Sequence, residues 1–139
     1  MKIREIDGRF MVCGEVGDRL PDDLLALTLR SGWKSGQLSG IGGVKNVELA
    51  YFDLAEKRYV PIAVDGVVEL VGLTGNLAMV DGAPFWHLHA IVSDRDGQVR
   101  AGHLVRLEVA ITLECWLQVS GQPVERKRNE ATGLNLLDL

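Results

Sequence analysis

At 139 residues with 47% hydrophobic content, the chain can bury about two-thirds of its unfolded surface as one domain, residues 1–139, without help from disulfides. The formal net charge of −4, with a single dense basic run, Arg126-Lys127-Arg128, flanked by Glu125 and Glu130, argues against a strong nonspecific hold on DNA, which needs clustered cations to neutralise phosphates. No apolar stretch is long enough to span a bilayer, and Met1 to Glu5 lacks the basic-then-apolar pattern of a secretory signal, so a cytoplasmic protein is expected.

Cys13 and Cys115 lie in separate apolar runs without CxxC spacing, which excludes a thioredoxin motif or zinc knuckle and predicts buried thiols. Sixteen glycines and a positive mean hydropathy predict a β-rich domain that buries further surface by self-association. Residues 9–16 form the first expected strand, rich in β-branched and aromatic residues. Gly17-Asp18 turns the chain into Leu20-Pro21-Asp22-Asp23-Leu24, a helix start in which the aspartates complement the positive end of the helix dipole. Leu20, Leu24, Leu27 and Ser31 then line the face that packs on a sheet, and the helix stops between Gly32 and Gly36.

From Gln37 onward the pattern is almost entirely β. Ser39-Gly40-Ile41-Gly42-Gly43 has neither GxGxxG nor Walker spacing, and a strand rather than a helix follows it, so tight sheet packing or a bulge is expected in preference to a phosphate loop. Val47, Leu49, Tyr51 and Phe52 mark the next strand, Ala55-Glu56-Lys57 turns into a strand over 58–64, and Asp65-Gly66 turns again. The stretch that follows, 67–104, holds all three histidines of the chain.

His87 and His89 sit one residue apart in a short apolar run from Pro84 to Val92, read as a strand, so both imidazoles project to one side and Trp86, Leu88 and Ala90 to the other. Asp94-Arg95-Asp96-Gly97 is a turn into the strand that carries His103. The register there decides the chemistry. Pairing Ser93 with Gln98 sets His103 opposite Leu88, away from the other two, whereas one more residue in the connection, or a bulge at Gly102, sets it opposite His89 on the same face. The second arrangement is the one expected here, with Gly102 as the bulge position.

Residues 104–119 give the cleanest period-two signal, predicting a long strand with Val105, Leu107, Val109, Ile111, Leu113, Cys115, Leu117 and Val119 buried. Trp116 falls on the opposite, polar face and suggests a subunit neighbour there. The leucine-rich tail, 131–139, is too apolar for a free end and is expected to dock.

Three segments together resemble the PPC (plants-and-prokaryotes-conserved) domain family, which also forms part of plant AT-hook nuclear proteins. These are Glu69-Leu70-Val71-Gly72-Leu73-Thr74-Gly75-Asn76, Asp81-Gly82-Ala83-Pro84 followed by His87-Leu88-His89, and Gly102-His103-Leu104. Weaker similarity extends over nearly the whole chain, and Ala101 stands where the family pattern usually has a second glycine. The resemblance implies an α+β fold, a mainly antiparallel β-sheet with one or two packed helices, assembled as a homotrimer. It implies a divalent metal in members with this histidine pattern, and an association with DNA. The last transfers poorly, because this chain lacks the Arg-Gly-Arg core that gives AT-hook proteins their minor-groove contact.

Three readings of function stay open. One is a trimeric, DNA-associated regulatory module in which His87, His89 and His103 hold zinc or another divalent ion. Three imidazoles with a fourth position left open for water or a ligand resemble catalytic zinc sites more than closed structural ones. The second is a metal-dependent hydrolase or lyase acting on a small molecule there, with Glu69, Asp81, Glu108 and Glu114 as candidate general bases. The third is a metal-free oligomeric module that binds a partner, its histidines hydrogen-bonded in a groove or interface. Glu69 has a structural reading as a strand-edge carboxylate, and Thr74 and Asn76 beside Gly75 read as turn formers.

Overall fold

Short alternating runs separated by glycine-containing turns fold into ten strands and one helix in the computed structural model, which describes residues 1–139. The strands are β1 (Lys2–Ile6), β2 (Arg9–Gly14), β3 (Arg19–Leu20), β4 (Ser35–Asp53), β5 (Arg58–Ala63), β6 (Val67–Val80), β7 (Ala83–Ser93), β8 (Val99–Ser120), β9 (Glu125–Arg128) and β10 (Asn135–Asp138), with α1 (Asp22–Ser31) between β3 and β4. The fold is α+β with a single short helix, and every strand pairing is antiparallel except β6 with β9. Asp7-Gly8 and Asp81-Gly82 all have positive φ and make the two-residue turns of the β1–β2 and β6–β7 hairpins.

One edge of β8 pairs in turn with β7, β3 and β2, and its other edge runs along β4. Because β4 also pairs with β6, and β6 with β7, the four strands β4, β6, β7 and β8 close a circuit. Its inward face carries buried leucines and valines, among them Leu49, Leu70, Leu73, Leu88, Leu104, Leu107 and Val109. Each fully buried side chain of this kind contributes about 1.5–3 kcal/mol. Even-numbered Trp86, Leu88, Ala90 and Val92 of β7 point into this core, which leaves His87 and His89 on the outer face.

Helix α1 packs on β7 and β3 through Leu24, Leu27 and Thr28. Thr28, one turn after Leu24, completes the buried stripe in place of Ser31, which is exposed. Gly32 ends the helix in the left-handed conformation (φ 70°). The glycine-rich passage lies inside β4 and carries a register shift between Gly40 and Gly42, as sheet packing requires. A Cβ on Gly40 would sit 2.4 Å from Cys115 Sγ, and one on Gly42 2.3 Å from Thr112 O.

Strand β8 departs from strict alternation at two places. Ile111 is 63% exposed where β8 bulges against β4 between Gly42 and Val44, and Val105 is 38% exposed beside a second irregularity opposite Glu48 and Leu49. The second one changes the parity of the strand. Leu104 becomes the buried residue and His103 turns outward. Gly102 carries no bulge. It pairs regularly with Ala90, and a Cβ there would lie 2.7 Å from Ala50 O, so close passage of β4 is what demands glycine.

Strands β1, β3, β9 and β10 differ from the sequence expectation, and Leu20, expected on the helix, is instead a buried residue of β3 paired with Leu107. The tail docks through backbone pairing of β10 with β9, yet Leu136, Leu137 and Leu139 remain exposed. Cys115 is buried, whereas Cys13 is only half-buried. No helix is long and apolar enough to cross a membrane.

Candidate metal centre

The connection between β7 and β8 takes the extra residue. Ser93 pairs with Val99, and four steps along the ladder His89 stands directly opposite His103. There the two strands part, since β7 continues along β6 while β8 continues along β4. His87 lies just beyond the parting point, on the same face as His89. The three rings meet at the mouth of this fork, with centroids 5.0 Å (His87–His89), 5.2 Å (His87–His103) and 5.6 Å (His89–His103) apart. One nitrogen from each ring lies within 4.8 Å of the others.

The nitrogens suit a shared cation. His87 Nε2 and His89 Nε2 are 3.2 Å apart, close to the roughly 3.3 Å between two ligands of one tetrahedral ion at 2.0–2.1 Å. His103 Nδ1 is buried without a hydrogen-bond partner. Burial, reinforced by the neighbouring His103, Arg126 and His89, lowers the His87 pKa to about 4. Burial, with repulsion from His89, also lowers that of His103. These imidazoles therefore stay neutral at pH 7 and offer lone pairs, as metal ligation requires. Tyr59 stacks on His103 at 4.8 Å and is itself braced edge-on by Phe52 at 5.1 Å, which fixes the His103 ring plane.

None of the four candidate bases joins the histidines in a converging set of ligand atoms. Glu69 stands opposite Ser93, four residues along β7 from His89, and Asp81 is in the β6–β7 turn. Glu108 is engaged by Lys45 and Asn46, each at 3.1 Å, and Glu114 is an exposed residue opposite Cys13. Thr74 and Asn76 are strand residues, not turn formers, and face His89 and His87 across the β6–β7 ladder.

Sequence reasoning missed Arg126. Part of the single dense basic run, it is only 7% exposed, with Lys127 and Arg128 outside. Its Nη2 donates to Asn76 Oδ1 at 2.6 Å and its Nη1 to Asn135 O at 3.0 Å, and its guanidinium carbon lies 5.8 Å from the centre of the Phe85 ring. No pattern in Val124-Glu125-Arg126 marks it, because its burial follows from β9 lying between β6 and β10.

A cleft of about 440 Å³ opens in the fork, with Tyr59, Pro61, Phe85, Trp86, His103 and Leu104 among its walls. A larger one, about 740 Å³, lies between β3, β4, β5 and β8 and includes no histidine. Two of its carboxylates are paired, Glu48 with Arg106 at 2.9 Å and Glu108 with Lys45 at 3.1 Å, and the smaller cleft is the one that His103 lines.

Residues 1–120 match the model of the Plants and Prokaryotes Conserved (PCC) domain. No curated protein matches the chain by sequence. Among solved structures, a metal-containing protein from Archaeoglobus fulgidus is 31% identical with a TM-score of 0.86 over 100% of both chains. A plant- and prokaryote-conserved (PPC) protein from Pyrococcus horikoshii is 30% identical with a TM-score of 0.87 over 99% of this chain and 94% of that one. A structure from Bacteroides thetaiotaomicron, described as a "putative dna binding protein", is 26% identical with a TM-score of 0.93 over 99% of this chain and 96% of that one. With residues 1–120 matched and the fold shared, the chain belongs to the Plants and Prokaryotes Conserved domain family, written PCC or PPC.

Proposed function

We propose that His87, His89 and His103 hold one divalent ion, with zinc the best fit to three neutral imidazoles, and that the protein works as a cytoplasmic homotrimer that binds a small ligand at this centre. The observation that carries the reading is the convergence of three ring nitrogens at the β7–β8 fork, two of them 3.2 Å apart. The metal content of the 31% identical Archaeoglobus fulgidus protein supports it. When bound, such an ion supplies a Lewis acid with an open position for water or a ligand. The chain's own residues do the rest. Tyr59 orients His103, and Asn76 ties the His87 side of the site to Arg126. Exposed Ile41, Val71, Ile111 and Trp116 supply apolar surface for subunit contacts. Two free thiols suit a reducing compartment.

Direct DNA association is a second reading, favoured by the description of the Bacteroides thetaiotaomicron relative. The charge distribution supports it less. Lys2, Lys45, Arg106 and Lys127 are paired with Glu15, Glu108, Glu48 and Asp138, and Arg126 is buried.

Elemental analysis of tag-free protein, beside a His87→Ala/His89→Ala variant of equal fold and oligomeric state, tests the centre. Near-stoichiometric zinc in the parent and none in the variant is expected, followed by a screen for hydrolase or lyase turnover. No metal in either after incubation with zinc would sink the reading and leave a metal-free binding module. Binding to duplex DNA with a steep salt dependence would favour the second reading.

A further inference from the structure

Arg126 reaches the site from β9, beyond the residues that match the family model, and its charge has no counterpart. It is 7% exposed, no carboxylate lies within ion-pair distance of it, and its two Nη groups donate to neutral oxygens of Asn76 and Asn135 while its buried Nε has no partner. A cation held this way is costly unless an anion offsets it. The histidine cluster has the same deficit. Three neutral imidazoles leave the full charge of a divalent ion uncancelled, and no Asp or Glu converges on them.

Both positive centres flank the same fork, Arg126 through Asn76, which faces His87, and through Phe85, which lines the cleft. Beside His103 the cleft walls are apolar or aromatic, among them Tyr59, Pro61, Phe85, Trp86 and Leu104, except for Glu48, whose carboxylate is already paired with Arg106 at 2.9 Å. That lining suits an organic body rather than a bare phosphate, which takes several convergent hydrogen-bond donors.

Resting on the metal reading above, we propose that the ligand of this centre is a small organic carboxylate whose charge is held by the ion and by Arg126 and whose apolar body occupies the Tyr59–Phe85 cleft. Arg126 is a positioning residue here. It acts by its charge, through Asn76, without ligating the metal.

The test uses full-length protein reloaded with cobalt(II), whose visible spectrum reports the coordination sphere, titrated with benzoate and with its neutral isostere benzamide. Benzoate should shift the spectrum and bind at least about tenfold more tightly than benzamide. Arg126→Met should keep its cobalt and lose about tenfold in benzoate affinity, with benzamide unaffected and Arg126→Lys recovering part of the loss. Equal affinity of the parent for benzoate and benzamide would overturn the carboxylate proposal while leaving the metal centre standing, and that arm needs no variant to fold. Unchanged benzoate binding in Arg126→Met would remove Arg126 from it. Failure of the parent to take up cobalt would overturn both this inference and the metal reading beneath it.

Discussion

The indole Nε1 of Trp86 donates a 2.9 Å hydrogen bond to Thr28 Oγ1, and Thr28 in turn donates to Leu24 O at 2.8 Å, so a buried relay ties the helix to the strand that carries His87 and His89. Thr28→Val preserves shape but leaves the indole N–H unpaired in the core. The expected loss is about 1–3 kcal/mol in urea denaturation. Stability equal to the parent would mean that the relay contributes nothing net.

Acid should weaken the metal-free protein through His87. In the folded chain this group titrates near pH 4, and in the unfolded chain near the ordinary 6.5. Between those values the unfolded state holds a proton that the folded state lacks. Stability is therefore fully present above about pH 6.5 and declines as pH falls toward 4. Denaturation midpoints measured at pH 7, 6 and 5 should fall in that order, and His87→Gln should flatten the trend. Parallel slopes in the two proteins would place the effect elsewhere.

Gly102→Ala should damage the site without touching a ligand. The added methyl would press on Ala50 O at 2.7 Å and Ile62 Cδ1 at 3.2 Å, and the backbone atom cannot yield as a flexible side chain would. A destabilisation of about 1–3 kcal/mol is expected, together with weaker zinc retention in competition with a chromophoric chelator, because the strain falls beside His103. Retention equal to the parent would show that β8 relaxes independently of the histidine.

The two cysteines should separate in labelling. Burial pushes the Cys115 thiol up to about 12, and its sulfur packs against Gly40, whereas Cys13 is half-buried. Under native conditions a thiol reagent should modify Cys13 first, with Cys115 reacting only on a timescale set by opening of the sheet. Equal rates for both would indicate frequent local opening around β8.

The histidine strand was legible because His-x-His on a run with a buried opposite face has one orientation, and the Asp94–Gly97 turn left two registers to choose between. What selects the outward His103 is less visible. It is the irregularity opposite Glu48 and Leu49, three-dimensional in origin because β4 and β8 approach from distant parts of the chain. Strand β1 escaped notice because Lys2-Ile3-Arg4-Glu5-Ile6 is exposed throughout and shows no buried alternation. Arg126 escaped for the opposite reason. Its charge suggested solvent, while its contacts with Asn76 and Asn135 exist only once β9 lies beside β6 and β10.

Strand β8 pairs with β2, β3, β4 and β7, all of which precede it in the chain. On a ribosome those segments emerge while the strand that joins them is still unmade. The β1–β2 and β6–β7 hairpins can form early from local pairing, but neither the circuit nor the histidine triad can close until residues 99–120 have left the exit tunnel. Such distant pairing places maturation among the slower folding reactions, in the millisecond-to-second range. Closure of the triad is accordingly a late event, and the nascent chain carries its histidines before they can converge.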